Sequence, residues 1–248
     1  MTEQQTPKYE GIQFYDHIGV LDNFATNEFC DSLIDLFEFW YTKKYFKNER
    51  SDENKVTSID GHDFTLDHFN DGQSQFPQGG MGRKDHQLYL EICDCTMTAE
   101  VNKVIGLAFE EYVKEYKGLV SDADPVSSWT VKLQRTDPGG GYHVWHSENG
   151  SFLYRDRVLT WMLYLNDIPA TSGGATDFYH QERSFQPKKG TIVLWPAAYT
   201  HVHRGAFLTG DQSKYIATGW FSREPGDVTN RTLGELSGQL KQVERLNG

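Results

Sequence analysis

Between residues 26 and 41, apolar side chains recur at Phe29, Leu33, Ile34, Phe37 and Tyr41. That spacing gathers them on one face of a helix, and Thr26 stands where a capping hydroxyl belongs. A second stripe predicts a helix over about 98–116: Val101, Val104, Ile105, Ala108, Phe109, Tyr112 and Val113. Beyond it the texture changes. Residues 129–135 read WTVKLQR, 157–165 RVLTWMLYL, 191–195 TIVLW and 215–221 YIATGWF. These are runs of strand length, rich in β-branched and aromatic residues. Turn signals separate them: Pro138 to Gly141, Ser172 to Gly174, Lys189-Gly190 and Gly210-Asp211. Residues 12–21 read as strand and turn. Leu233, Leu236, Leu240 and Val243 return to helical spacing near the end.

Helices first and strands afterwards predict an α+β chain, with helices packed on a β sandwich or barrel. No repeat or linker divides it, so 1–248 reads as a single domain. Its parts are a loose tail over 1–10, a helical portion over about 12–118, a strand core over about 129–221 and a C-terminal helix over 228–248. Residues 46–82 are polar and glycine-rich and read as a long loop, a candidate lid.

Composition narrows the function. Aromatic residues make up 14% of the chain and the formal net charge is −11. The first argues for a packed, strand-rich core. The second, with no basic stripe, argues against a nucleic-acid partner or an anionic membrane surface. Cys30, Cys93 and Cys95 form no disulfide framework and read as free thiols of a reducing compartment. The N-terminus has no apolar signal core, and no apolar run is long enough to span a bilayer. The expectation is a cytoplasmic protein.

Three residues carry candidate chemistry. His146-Ser147-Glu148 places an imidazole and a carboxylate two residues apart. On an extended strand such residues point to one side and can reach one metal. A second imidazole follows in His201-Val202-His203. Two histidines and one carboxylate on one face of a metal leave positions open, as oxygenase Fe(II) requires. Core or surface histidines would give the same letters. A zinc hydrolase could use the same three groups, but the helical HExxH and HxxEH spacings are absent.

The surroundings resemble the prolyl 4-hydroxylase-like branch of the 2-oxoglutarate/Fe(II) dioxygenases, over roughly residues 129–221. The matching elements run in order: Gly139-Gly-Gly-Tyr142 before His146-Ser-Glu148; Arg157, Thr160 and Tyr164-Leu-Asn166; Gly173-Gly-Ala-Thr176-Asp-Phe178; Pro187, Gly190 and Ile192 to Trp195; His203; then Lys214-Tyr215 and Trp220. The HRG and KYIATGW wording is most similar to phage and marine-microbe versions, which would place the protein in a host cytoplasm. The resemblance implies a double-stranded β-helix core, jelly-roll or cupin-like, with N-terminal helices packed on one sheet. It implies Fe(II), 2-oxoglutarate and O2 as cofactor and co-substrates, and allows ascorbate as an accessory. The implied reaction is hydroxylation of an unactivated C–H of a peptide or small molecule, a prolyl residue first, with release of succinate and CO2.

By the same resemblance, His146, Glu148 and His203 would ligate iron. Lys214 would pair with the distal carboxylate of 2-oxoglutarate, Tyr164 would hydrogen-bond it, and Thr160 and Trp220 would line its pocket. Arg157 falls near the mouth. The chain departs from the pattern twice. Glu148 stands where Asp is usual, and Tyr142 lies four residues before His146 rather than three, with His143 in the usual place. The distal ligand is open between His201 and His203, which would share one strand face. Spacing to Lys214 favours His203. Arg83, Asp85 and Gln87 alternate and would face either substrate or solvent. The rival reading is a non-catalytic cupin-like binding module, against which Lys214 argues.

Overall fold

A computed structural model describes residues 11–42, 55–57, 63–65, 74–75, 81–119, 126–128 and 130–223. Strands β1 (Ile12–Tyr15) and β2 (Ile18–Leu21) form a hairpin. Asp16 and His17 close it at φ 51° and 67°, the positive values that a two-residue turn of this twist demands. Helix α1 (Asn27–Thr42) follows, its Phe29 N–H donating to Thr26 Oγ1 at 3.2 Å. A short α2 (Leu90–Cys93) leads into α3 (Cys95–Glu115), which Asp94 caps by accepting from Met97 N–H at 2.9 Å.

Residues 46–82, expected as loop, contain β3 (Lys55–Thr57), β4 (Asp63–Thr65), β5 (Ser74–Gln75) and the start of β6 (Met81–Lys84). β3 pairs with β4, and β5 with β6. These strands run two to four residues, too short to show a period. β7 (His86–Tyr89) went unread for the same reason. The expected tail over 1–10 and the C-terminal helix lie outside the described residues.

The core strands are β8 (Val126–Ser127), β9 (Val131–Thr136), β10 (Gly141–Tyr142), β11 (Arg157–Tyr164), β12 (Thr176–Phe178), β13 (Arg183–Phe185), β14 (Ile192–Pro196), β15 (His203–Gly205) and β16 (Lys214–Arg223). The large sheet runs β1-β2-β14-β11-β16-β9-β7, with β8 on β16. A small sheet, β13-β12-β15, and a third, β10-β6-β5, complete the strand layers.

Alternation decides what each face of the large sheet does. Leu159, Trp161 and Leu163 of β11, Ile192 and Leu194 of β14, and Ala217 and Phe221 of β16 pack with Leu33 and Phe37 of α1 and Ile105 and Tyr112 of α3. The opposite parity (Tyr164, Val193, Trp195 and Ile216) packs toward Phe178 of the small sheet. Trp161 and Trp195 are fully buried, one on each face. Fully burying an aliphatic or Phe side chain contributes roughly 1.5–3 kcal/mol, and indole rings bury still more surface. The inner face is the one that opens into a cavity.

Candidate active site

His146 and His203 face each other across an isolated antiparallel bridge. Each backbone N–H donates to the other's carbonyl at 3.0 Å. The bridge therefore fixes both rings, whose centroids lie 4.4 Å apart. Glu148 follows in a turn, its N–H donating to Ala197 O at 2.9 Å. Its Oε1 lies 3.4 Å from Nε2 of His146 and 3.4 Å from Nε2 of His203. Among the described residues these three form the group able to hold a metal ion, with donor atoms within 4.8 Å of one another.

The tautomers follow from the other ring nitrogens. His146 Nδ1 lies 2.8 Å from Val144 O, and His203 Nδ1 lies 3.0 Å from His201 O. Carbonyls only accept, so both Nδ1 atoms carry the proton. Both Nε2 atoms then point at Glu148 Oε1. Burial alone would raise the Glu148 carboxyl, but the two imidazoles facing it hold it well below the ordinary carboxylate range. Two Nε2 atoms and an ionised carboxylate converge on one point, and backbone-tied imidazoles are the usual support of a metal site. The donor set therefore fits a divalent metal, and two histidines with one carboxylate suit Fe(II).

His201 takes no part. It ends a 3₁₀ turn, Tyr199–His201, so the strand-face argument that tied it with His203 does not apply. Its buried ring donates through Nε2 to Asp16 O at 2.9 Å and meets Thr200 Oγ1 at 3.0 Å through Nδ1. It fastens the β1–β2 turn to the small sheet.

A cavity of about 600 Å³ extends from the triad between the sheets. That is the size of a small-molecule site. Lys214 lies in its wall, fully enclosed, with Nζ donating to Gly174 O at 2.7 Å and 5.5 Å from the Tyr164 ring. Burial pulls its ammonium down to about 8, while Asp177 and Asp85 act in the opposite sense. Gly173 and Gly174 set the accepting carbonyl, at φ 67° and 72°. A Cβ on Gly173 would stand 2.1 Å from Phe207 O.

The remaining predicted residues divide. Trp220 lines the cavity. Thr160 does not: it is buried between Trp195 and Trp220 as their cross-strand neighbour, and its Oγ1 has no hydrogen-bond partner. Tyr164 is also behind the wall. Its hydroxyl donates to Thr176 Oγ1 at 2.7 Å, and it is Thr176 that faces the cavity. Tyr142 lines the cavity and stacks on His146 at 4.0 Å. His143, in the usual tyrosine place, turns to Phe207, 5.1 Å away.

Five further residues join the site, of which only Lys132 and Gln134 were not singled out from the sequence. Arg157 donates to Glu148 Oε2 at 3.1 Å rather than lying free at the mouth. Lys132 and Gln134 line the cavity although they interrupt an apolar strand, and that interruption was the available signal. Asp85 and Gln87 face the cavity, buried, with Gln87 Nε2 donating to Asp85 Oδ1 at 2.8 Å.

Comparison with known proteins agrees with this geometry. Residues 131–222 match the family model of the 2OG-Fe(II) oxygenase superfamily. No match was found among curated proteins. A viral collagen prolyl hydroxylase from Paramecium Bursaria Chlorella virus-1, in its 2OG complex, superposes with TM-score 0.55 at 19% identity, covering 83% of this chain and 95% of that one. A Pseudomonas putida prolyl-4-hydroxylase gives 0.58 at 13%, covering 84% and 93%. A Trichoplax adhaerens prolyl hydroxylase, in complex with a hypoxia inducible factor peptide fragment, gives 0.56 at 15%, covering 83% of each chain. At these identities the likeness establishes the fold. The chain carries a 2OG-Fe(II) oxygenase domain on a prolyl 4-hydroxylase-like double-stranded β-helix. The match supports a 2-oxoglutarate-dependent dioxygenase, and the matched superfamily uses Fe(II), 2-oxoglutarate and O2. Among the described residues no helix is long and apolar enough to cross a membrane.

Proposed function

We propose that the protein hydroxylates an unactivated C–H of a peptide, a prolyl residue being the first candidate. In this reading His146 Nε2, His203 Nε2 and Glu148 Oε1 ligate iron, and Lys214 anchors 2-oxoglutarate. One observation carries it: three converging donor atoms and an enclosed ammonium share one cavity. An ammonium so placed is costly without an anion, and a dicarboxylate long enough to reach from the metal supplies one. Iron bound there would supply oxidative decarboxylation of the co-substrate coupled to oxygen insertion into a C–H.

The chain's own groups do the rest. The backbone bridge between His146 and His203 orients both imidazoles before anything binds. Lys214 and the Thr176 hydroxyl, itself held by Tyr164, receive the distal carboxylate. Trp195, packed edge-on to His203 at 4.9 Å, closes the apolar side and excludes water. Tyr154, half-exposed on the cavity wall, gives an aromatic edge against which a peptide can lie. The peptide class rests on the prolyl hydroxylases that share the fold, one of them bound to a peptide.

The test is turnover of proline-containing peptides with Fe(II), 2-oxoglutarate and O2, followed by mass spectrometry and succinate assay. Gain of one oxygen on a peptide, matched by one succinate, supports the reading. Succinate formed without oxygen on any peptide would move the substrate to small molecules.

A further inference from the structure

The carboxylate of Glu148 has two oxygens, and the structure treats them differently. Oε1 faces both imidazoles at 3.4 Å. Oε2 faces away and accepts two hydrogen bonds, from Arg157 Nη1 at 3.1 Å and Trp220 Nε1 at 2.9 Å. Arg157 Nη1 also reaches Glu148 O at 3.3 Å. Its guanidinium lies between two rings, 3.5 Å from the Trp220 centroid and 4.0 Å from that of Tyr154. A stacked guanidinium loses little further freedom on binding a carboxylate.

Arg157 should not point this way. By the alternation of β11 it belongs with Leu159, Trp161 and Leu163, which face the helices. A bulge intervenes: Arg157 pairs with Ser222, but Leu159 pairs with Phe221. The extra residue turns Arg157 over to the inner face, toward Glu148. Bulges of this kind re-aim single side chains beside functional sites.

We propose that Arg157 and Trp220 are positioning residues that hold Glu148 to ligation through Oε1 alone. The proposal rests on the metal-centre reading above. A free Glu has one more methylene than Asp and can turn both oxygens to a metal. That would take a coordination position which the co-substrate and O2 need. Occupying Oε2 with two fixed donors prevents this and makes the longer side chain usable. Neither residue has to touch the metal or the substrate for this role.

The experiment uses Co(II), a divalent ion that accepts the same N/O ligands and shows visible ligand-field bands whose intensity falls as coordination number rises. Wild-type protein, titrated with Co(II), is expected to give such bands, and 2-oxoglutarate is expected to alter them. Trp220→Phe removes one donor and keeps a ring. Arg157→Gln removes the other. Each is expected to weaken Co(II) binding about tenfold, as loss of a ligand's supporting hydrogen bond typically does. Each is also expected to show weaker bands at full loading, which a merely structural role would not produce. Because both act on one oxygen, the double variant should lose less than the product of the single losses. Fully loaded single variants with wild-type bands and affinity would overturn the proposal. Wild-type protein that binds no Co(II) would instead remove the metal centre itself, a distinguishable failure.

Discussion

Replacing Lys214 with Met should separate stability from co-substrate binding, because the two depend on its charge with opposite sign. The ammonium sits fully enclosed, and burial lowers it from 10.5 to about 8. At about 1.36 kcal/mol per unit, the charged form costs the folded protein about 3 kcal/mol. That cost is in full force below pH 8, where Lys214 is charged both folded and unfolded. Between pH 8 and 10.5 the unfolded chain binds the proton and the folded chain does not, so this group makes stability rise with pH. Met removes the penalty but leaves Gly174 O without its donor, a loss of about 1–3 kcal/mol. The two nearly offset. The Met variant should therefore be about as stable as wild type at pH 7 and lack this rise above pH 8. Its 2-oxoglutarate affinity should fall about 10- to 150-fold, the worth of one charge-assisted hydrogen bond of about 1.5–3 kcal/mol. Denaturant melts at pH 7 and 10, with calorimetric titration of the metal-loaded protein, measure both. Unchanged 2-oxoglutarate affinity would refute the assignment of Lys214. An unchanged rise between pH 8 and 10.5 would refute its altered ionisation.

Three further outcomes are expected. Glu148→Asp, though it installs the commoner ligand, should lower turnover about 10- to 100-fold, because the shorter carboxylate withdraws from Arg157 and Trp220; steady-state succinate release measures it. His201→Ala should leave metal affinity within a few-fold and cost about 1–3 kcal/mol of stability through the lost contact with Asp16 O, read by metal titration and chemical denaturation. Gly173→Ala should destabilise by more than about 1 kcal/mol, from its positive φ and the collision with Phe207 O, and thermal melts would show it.

Much of this was legible because the long elements follow one period. β11 and β16 announced themselves as β-branched and aromatic runs of strand length between turn signals, and the α1 and α3 stripes face the sheet as their spacing requires. His146 and Glu148 were legible as a pair because their motif is local, whereas the distant second histidine stayed open between His201 and His203. What the sequence hid is non-local. The 3₁₀ turn that removes His201 and the bulge that turns Arg157 inward each break a parity that letters alone would extend. Tyr164 was expected to touch ligand, but register places Thr176 in front of it. Asp85 and Gln87 read equally well as solvated edge, and only pairing of β7 with β9 buries them.

The most direct test is anaerobic titration of Fe(II)-loaded protein with 2-oxoglutarate, followed by visible absorption. A saturable charge-transfer band, absent in His146→Ala and His203→Ala, is the predicted result. Iron bound through these residues with no band at saturating 2-oxoglutarate would contradict the account.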